Sequence, residues 1–187
     1  MHTAKPTALL IDHDDSFTHN VRMWLSARFD VEIVHHFKIF EINFSQKKYD
    51  LIIFSPGPRS AQDYPHCLKF LSQISDSQHV LGICLGMQMM SIVAGGSVET
   101  YSAPLHGKTS ALESTSSEIN GLNVARYHSM YCILSADNFF ILATSEKLPM
   151  WAKHNSKKWM GFQFHPESFM TENPDVYLDA VCDWLPE

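Results

Sequence analysis

The first half of the chain alternates short, continuously apolar runs with longer segments of helical character. A continuous apolar run bounded by turn residues is typical of a strand that is buried on both faces of a parallel sheet. Such runs predict strands at residues 8–11, 31–34, 51–54 and 80–83. The intervening pattern predicts helices at residues 18–29 and 87–94. Strands that are separated by helices indicate a parallel sheet covered on both faces.

The second half is more polar, and its strand candidates are shorter. The Gly95-Gly96 pair ends the second helix, after which strands are predicted at residues 97–101, 108–112, 139–144 and 159–164. Asn173-Pro174 is a helix-start signal, and a last helix is expected from there to about residue 185. The pattern therefore predicts an α/β fold with an open, mostly parallel twisted sheet, helices on both faces and a smaller antiparallel portion. Ligands of such sheets bind at the carboxyl ends of the strands.

Composition and charge narrow the class of protein. The 187 residues, 45% of them hydrophobic, fit a single domain spanning residues 1–187. The net charge of -6, without any Lys/Arg run, argues against binding to nucleic acid. The four cysteines are far apart and form no CxxC pair, so neither a zinc knuckle nor a disulfide framework is expected. No apolar stretch approaches membrane-spanning length, and we expect a cytoplasmic protein that binds no membrane.

The clearest chemical signal is the pentapeptide Gly82-Ile83-Cys84-Leu85-Gly86, which lies where a predicted strand meets a predicted helix. It has the G-x-nucleophile-x-G spacing of a nucleophile elbow, with cysteine as the nucleophile. Such a turn places the sulfur at a helix N-terminus, where the helix dipole and free N–H groups favour the thiolate. The N–H of the residue after the nucleophile would point at an oxyanion formed on attack. The pentapeptide alone also fits a buried, inert cysteine, so the other residues must decide.

A thiol nucleophile needs a base, and the base needs a third group that holds its tautomer. The sequence FQFHPE supplies both, because His165 falls at or past the carboxyl end of a strand and Glu167 can point to the same side of an extended segment. An HxE pair is also half of a metal site, but no third ligand cluster accompanies it in the sequence. His35, His36 and His128 lack this combination, and the first two are expected at the surface.

With these motifs the chain resembles the class I, triad-type glutamine amidotransferases, and more narrowly the small subunits of anthranilate synthase and aminodeoxychorismate synthase. The HGKTS and RYHS motifs are those that separate this subfamily from related amidotransferases. The matching motifs follow the family's order along nearly the whole chain: LLID at 9–12, DSFT at 15–18 with Asn20, SPGP at 55–58, LGICLGMQ at 81–88, HGKTS at 106–110, RYHS at 126–129 and GFQFHPES at 161–168. The resemblance implies a flavodoxin-like sheet, in line with the pattern above.

The resemblance also implies an activity. Cys84 would attack the carboxamide of L-glutamine, His165 would assist, and Glu167 would orient the imidazole. Ammonia would leave, and water would then release glutamate from the thioester. The ammonia would pass to the large subunit of a chorismate-using synthase, which makes anthranilate or aminodeoxychorismate.

Further roles follow from the same resemblance. The N–H groups of Gly57 and Leu85 would form the oxyanion hole. Gln88, with backbone groups of Ser129 and Met130, would hold the amino-acid end of the substrate. No metal and no organic cofactor are implied.

One position departs from the family's pattern. After the third strand the family usually has Pro-Gly-Pro-Gly, whereas this chain has Pro56-Gly57-Pro58-Arg59. Glycine is favoured where the backbone approaches a ligand or takes a positive φ. An arginine held in the left-handed conformation would be strained by roughly 1–2 kcal/mol. We expect the loop to follow a locally altered path, with Arg59 directed outward toward solvent or a partner.

Alternatives from other classes stay open. A stand-alone hydrolase of γ-glutamyl compounds could use the same triad, and it would turn over without a partner. A degenerate subunit that only binds and regulates its partner is disfavoured by the complete triad but permitted by Arg59. A phosphoacceptor receiver domain, suggested by Asp12, Asp14 and Asp15, would need an aspartate after the third strand, where this chain has Ser55.

Overall fold

The computed structural model describes residues 4–44, 46, 48–100 and 107–186. Tyr101, the last residue of one predicted strand, and His106, the first residue of the HGKTS motif, lie outside these ranges. The strands are β1 Thr7–Asp12, β2 Asp30–His35, β3 Leu51–Phe54, β4 His79–Ile83, β5 Ser97–Thr100, β6 Lys108–Ala111, β7 Asn123–Arg126, β8 Met130–Ile133, β9 Phe139–Ser145, β10 Leu148–His154 and β11 Trp159–Phe162. The α-helices are α1 Thr18–Ser26, α2 Pro65–Gln73, α3 Leu85–Val93 and α4 Pro174–Trp184, and short 3-10 helices span His36–Glu41 and Ala61–Asp63. None of these helices is long and apolar enough to cross a membrane.

The strands form one large sheet and two small ones. Within the described ranges, seven strands make up the central sheet in the order β2-β1-β3-β4-β11-β10-β9. The first five of these pair in parallel, whereas β10 runs antiparallel to both β11 and β9. Two antiparallel pairs, β5 with β8 and β6 with β7, lie outside this sheet. The predicted α/β fold, with its mostly parallel sheet and smaller antiparallel portion, is confirmed.

Side chains of the central strands point alternately into two apolar cores, one on each face of the sheet. In β1, Ala8 and Leu10 pack with residues of α1 and α4, whereas Leu9 and Ile11 pack with residues of α2 and α3. Successive side chains of a strand face opposite ways, so a strand covered on both sides needs apolar residues at every position. This requirement explains the continuous apolar runs of the sequence.

The sequence pattern does not predict two of the longer elements, helix α2 and strand β10. Helix α2 buries Cys67, Phe70 and Leu71, which have helical spacing, but its nine residues give too short a pattern to stand out beside the preceding loop. Strand β10 contains Pro149, which usually argues against a strand. Its pairing with β9 is irregular between Pro149 and Trp151, and this irregularity lets the proline lie in the sheet. The short strands β7 and β8 are also not predicted.

Some predicted boundaries are wrong by two or three residues. The helix predicted at 18–29 ends at Ser26, and the N–H groups of Arg28 and Phe29 both bond to the carbonyl of Leu25, at 3.0 and 2.9 Å. The strand predicted at 159–164 ends at Phe162. Three residues later the chain contacts β7, where the N–H of residue 165 donates to the Ala125 carbonyl at 3.0 Å.

The prediction that His35 and His36 lie at the surface is wrong for His36. His35 ends β2 and is half-buried, whereas His36 begins a 3-10 helix and is only 3% exposed. The ring of His36 lies against those of Tyr64 and His66, with centroids 5.1 and 5.0 Å away. The turn after β2 therefore directs His36 inward, toward the start of α2.

Candidate active site

Cys84 lies on the turn between β4 and α3, as the pentapeptide predicts. Its backbone has φ 51° and ψ -99°, outside the regions that a non-glycine residue ordinarily occupies. Strain of this kind costs about 1–3 kcal/mol and persists only where the surroundings hold it in place. Here the Cys84 N–H donates to the Phe162 carbonyl at 2.7 Å, and the Gln88 N–H donates to the Cys84 carbonyl at 3.1 Å. The sheet and the helix together hold the strained nucleophile position.

The two glycines of the pentapeptide let β4 and α3 approach each other. A Cβ on Gly82 would lie 2.6 Å from the carbonyl carbon of Gly86. A Cβ on Gly86 would lie 2.3 Å from the carbonyl oxygen of Phe54, at the end of β3. Both distances are far below van der Waals contact, so any larger residue would push the elbow away from the sheet.

His165 and Glu167 form a buried pair next to Cys84. The Nδ1 atom of His165 lies 2.7 Å from Oε1 of Glu167, and both side chains are nearly inaccessible to solvent. The Cys84 thiol lies near enough to act on the charge of the His165 imidazole. Because the carboxylate accepts the Nδ1 proton, Nε2 is the nitrogen that faces the thiol, as a nucleophile–base–orienter arrangement requires.

The charge state of His165 follows from these contacts. Burial lowers the pKa of His165, but the Glu167 carboxylate and the neighbouring Cys84 thiol outweigh burial and raise that pKa well above its usual value of 6.5. The site therefore favours an imidazolium. Its protonation stabilises the folded state fully below pH 6.5, and this contribution is lost as the pH rises through the raised pKa.

Two aromatic rings enclose the imidazole. The centroid of Tyr127 lies 5.0 Å from that of His165 in an edge-on arrangement, and the centroid of Phe17 lies 5.1 Å away. The Tyr127 hydroxyl and that of Ser168 are 3.0 Å apart, which fixes the ring. Phe17 comes from the DSFT motif and Tyr127 from the RYHS motif. These packing roles depend on the fold and are not evident from either motif alone.

A cavity of about 160 Å³ opens beside the sulfur. It contains all five residues that the resemblance assigns to substrate binding. Its lining comprises Gly57, Pro58, Arg59, Cys84, Leu85, Gln88, Tyr127, His128, Ser129 and Met130. His165 and Glu167 are not part of this lining.

The wall next to the sulfur is formed by Gly57 and Leu85. A Cβ on Gly57 would lie 2.4 Å from Cδ2 of Leu85 and 2.8 Å from Cβ of His13, so only glycine fits. Leu85 is the first residue of α3, where backbone N–H groups have no partner within the helix. Gly57 therefore packs against the Leu85 side chain at this cavity, and the oxyanion-hole role of the two N–H groups stays a prediction.

The far wall is held by a chain of hydrogen bonds that ends on Met130. Its carbonyl accepts bonds from Nε2 of Gln88 at 3.3 Å and from Nδ1 of His128 at 2.7 Å. Nε2 of His128 in turn accepts from Nε of Arg126 at 3.3 Å. Arg126 is buried and forms an ion pair with Glu146 at 2.9 Å. The sequence singles out neither Arg126 nor His128 as a positioning residue, although the RYHS motif contains both.

The sequence profile of the family Glutamine amidotransferase class-I matches residues 9–183 of the chain. The chain belongs to the class I glutamine amidotransferases. Anthranilate synthase component 2 of Buchnera aphidicola subsp. Acyrthosiphon pisum is 31% identical to this amidotransferase over 185 residues, which cover 94% of this chain and 92% of the relative. The protein of the same name from Lactococcus lactis is 32% identical over 173 residues, which cover 87% of each chain.

The fold of this amidotransferase is also similar to solved structures. A Thermoplasma acidophilum protein, provisionally named as part of a GMP synthase, superposes with a TM-score of 0.81. The match covers 97% of this chain and 96% of the other, with 22% identity. At this identity the likeness supports the fold alone.

Arg59 is the position where this amidotransferase departs from the family's motif. It is exposed, has a φ of 68° and lines the mouth of the cavity. The arginine therefore takes the left-handed conformation that a glycine would adopt without strain. The loop continues with Ser60, whose N–H and hydroxyl both donate to the Asp63 carboxylate, at 3.0 and 2.8 Å.

We expect the substitution Arg59→Gly to stabilise the protein. It removes left-handed strain of about 1–2 kcal/mol, and the added freedom of the unfolded chain offsets about 0.5–1 kcal/mol of that gain. The free energy of unfolding, measured by urea denaturation, should rise by roughly 0.5–1 kcal/mol. Arg59→Ala is the matched control, because it removes the guanidinium but keeps the strain. Equal stabilisation by both variants would show that charge, and not backbone strain, is responsible.

Proposed function

We propose that this amidotransferase is the glutaminase subunit of a chorismate-using synthase. It hydrolyses L-glutamine through a thioester on Cys84 and delivers the ammonia to the synthase large subunit. The observation that carries this proposal is the buried 2.7 Å bond between His165 and Glu167, next to a sulfur that opens onto a cavity of about 160 Å³. Membership in the class I glutamine amidotransferases supports the reaction type. In this role residues 1–187 act as one domain.

The reaction follows from the arrangement of these groups. The Cys84 thiolate attacks the carboxamide carbon, and the N–H groups of Gly57 and Leu85 stabilise the oxyanion. His165, held as an imidazolium by Glu167, gives its proton to the amide nitrogen, so that the C–N bond breaks and ammonia leaves. The neutral imidazole then takes a proton from water, whose oxygen attacks the thioester. Glutamate is released, and the thiolate–imidazolium pair is restored.

The far wall of the cavity holds the amino-acid end of glutamine. Gln88, Ser129 and Met130 belong to the lining of this cavity, as do Gly57 and Leu85. The Met130 carbonyl already accepts hydrogen bonds from Gln88 and His128, so it is fixed in direction before the substrate binds. A rigid wall of this kind holds the carboxamide at one distance from the sulfur, which lowers the entropic cost of attack.

The partner is inferred from the names of the relatives. Proteins called anthranilate synthase component 2 match this chain at about 30% identity over most of its length. A large subunit that makes anthranilate, or one that makes aminodeoxychorismate, would therefore consume the ammonia. A stand-alone hydrolase and a purely regulatory subunit are the competing roles, and dependence on a partner separates all three.

We expect glutaminase turnover to be weak for the isolated chain and to rise at least about tenfold, or about 1.4 kcal/mol in the barrier, when the correct large subunit is added. Glutamate release should be measured alone and with each of the two kinds of large subunit. As a control, product formation by the large subunit alone should be measured with ammonium salt, which shows whether that subunit is active.

Two outcomes would overturn the proposal. Full turnover by the isolated chain, unchanged by either large subunit, would identify a stand-alone hydrolase. Tight complex formation without glutamate release would identify a regulatory subunit.

A further inference from the structure

A group of metal-ligand side chains lies near the segment that follows Gly57, and we call it the His36–His66–Cys67 cluster. His36 begins the 3-10 helix after β2, and His66 and Cys67 belong to the first turn of α2. The Tyr64 ring lies against that of His36, with centroids 5.1 Å apart, and its hydroxyl donates to the Pro58 carbonyl at 3.0 Å. The cluster therefore shares no residue with Cys84, His165 and Glu167, and Tyr64 connects it to Pro58, the residue after Gly57.

The ligand atoms of the cluster converge. Nδ1 of His36 and Nε2 of His66 are 2.8 Å apart. One ring nitrogen of each histidine and Sγ of Cys67 all lie within 4.8 Å of one another. His36 and Cys67 are buried, and His66 is half-buried. Three nitrogen and sulfur atoms at this spacing can reach a common ion at bond lengths of about 2.0–2.3 Å after small side-chain rotations.

Asp14 fixes the tautomer of His36. The exposed Asp14 carboxylate contacts Nε2 of His35 at 2.8 Å and Nε2 of His36 at 3.2 Å, and an ionised carboxylate can only accept hydrogen bonds. Nε2 of His36 lies 3.2 Å from Oδ2 of Asp14 and must therefore carry the proton. In a neutral imidazole this leaves the lone pair on Nδ1, the atom that faces His66. A carboxylate on the outer nitrogen of a histidine is the arrangement that accompanies metal-ligating histidines.

His66 can present a ring nitrogen to the same space. A neutral imidazole offers the lone pair of one nitrogen to a metal ion and carries its proton on the other nitrogen. Nε2 of His66 donates the proton in the 2.8 Å contact with Nδ1 of His36. In the other tautomer of His66 this proton lies on Nδ1, and the lone pair of Nε2 is free to bind the ion.

We propose that His36, His66 and Cys67 form a binding site for a borderline to soft divalent cation of the Zn²⁺ class. The ligands are Nδ1 of His36, Nε2 of His66 and Sγ of Cys67, and water completes a tetrahedral sphere. Asp14 is a positioning residue that holds the His36 ring. The ion joins the end of β2 to the start of α2.

The thiol loses its proton when the cation binds. The Cys67 side chain is fully buried, and coordination of a divalent ion deprotonates a thiol. The proton leaves to solvent, so binding is accompanied by proton release.

A second set of ligands shares His36 and makes a rival location. Asp14, His35 and His36 also bring ligand atoms within 4.8 Å of one another, on the Nε2 side of His36. This set contains no sulfur, and the Asp14 and His35 side chains are 59% and 37% exposed. The buried set with a thiolate fits a soft cation better, because hydration competes less for it.

The test uses Co²⁺ as a spectroscopic probe on the full chain under reducing conditions. Co²⁺ should bind with a stoichiometry of one and give a sulfur-to-cobalt charge-transfer band, which an equivalent of Zn²⁺ should abolish. Cys67→Ser should remove the band, and His66→Gln should weaken binding at least about tenfold. Asp14→Asn should weaken binding by about 10–100-fold and keep the band.

Matched controls come from the same residue types elsewhere. Cys182→Ser removes a half-buried thiol on α4, and His19→Gln removes an exposed histidine on α1, so both should keep the band and the affinity of the wild type.

Circular dichroism shows whether Cys67→Ser is folded, and the variant of the half-buried His66 provides a second test if it is not. Absence of the band in the wild type, or its persistence in Cys67→Ser, would overturn the proposal. Binding lost in Asp14→Asn but unchanged in Cys67→Ser and His66→Gln would place the ion in the rival set and would equally overturn it.

Discussion

Replacing Cys84 with alanine is expected to abolish glutamine-dependent product formation by the reconstituted complex and to leave ammonia-dependent formation unchanged. In the proposed reaction the sulfur attacks the carboxamide, and alanine offers no nucleophile. Cys84 is buried, and its side chain is small. Its loss should therefore leave the elbow and the partner interface in place, so that external ammonia still reaches the large subunit. The two activities should be measured on the same complex, with glutamine or with ammonium salt as the nitrogen source.

Cys132 provides a matched control for this experiment. It is a buried cysteine on the neighbouring β8, and its thiol donates to Oε1 of Gln163 at 3.2 Å. Burial raises the pKa of the Cys132 thiol well above its usual range, so it is a poor nucleophile. A glutamine-like electrophile should label the wild type and Cys132→Ala but not Cys84→Ala. Equal loss of the glutamine-dependent and ammonia-dependent activities in Cys84→Ala would mean that Cys84 has a structural role.

The placement of Cys84 and of the His165–Glu167 pair is predictable from the sequence because their geometry is local. The elbow requires glycine at two fixed distances from Cys84, and both glycines are packed too closely for any other residue. His165 and Glu167 are two residues apart, and a single extended segment suffices to place one carboxylate against one imidazole. The continuous apolar runs of the parallel strands likewise depend only on residues that are adjacent in the sequence. For this reason the parallel part of the sheet is predicted well.

The remainder of the site depends on contacts between distant segments. The hydrogen bonds that fix the Met130 carbonyl come from α3 and from Arg126 by way of His128, and Arg126 pairs in turn with Glu146, 20 residues away. No spacing rule predicts such a chain. The wrong prediction at His36 has the same origin. Two adjacent histidines at the end of a strand are expected to be exposed, but helix α2, which was not predicted, covers His36.

Replacing His165 with alanine is expected to lower glutamine turnover by about 10⁴-fold or more, since the base and the proton donor are both lost. The variant Glu167→Gln tests the contribution of the Glu167 charge separately from its hydrogen bond. The amide can keep the hydrogen bond to Nδ1 but removes the charge that raises the pKa of His165. The pKa of His165 should therefore fall, and the alkaline limb of the profile of kcat/KM against pH should move to lower pH because the active form needs the imidazolium. Turnover at the optimum should fall by about 10³–10⁴-fold.

Glu172→Gln is the control for the effect of the charge. Glu172 is an exposed carboxylate, five residues further along the chain, that accepts from the Asn123 N–H at 2.8 Å and makes no contact with the imidazole. Its replacement should leave the alkaline limb and the turnover as in the wild type. The titration of His165 can be followed directly by the NMR signal of its ring in each variant. An alkaline limb that stays fixed in Glu167→Gln would show that Glu167 does not sustain the imidazolium, and the role of the pair in delivering a proton to the leaving ammonia would have to be abandoned.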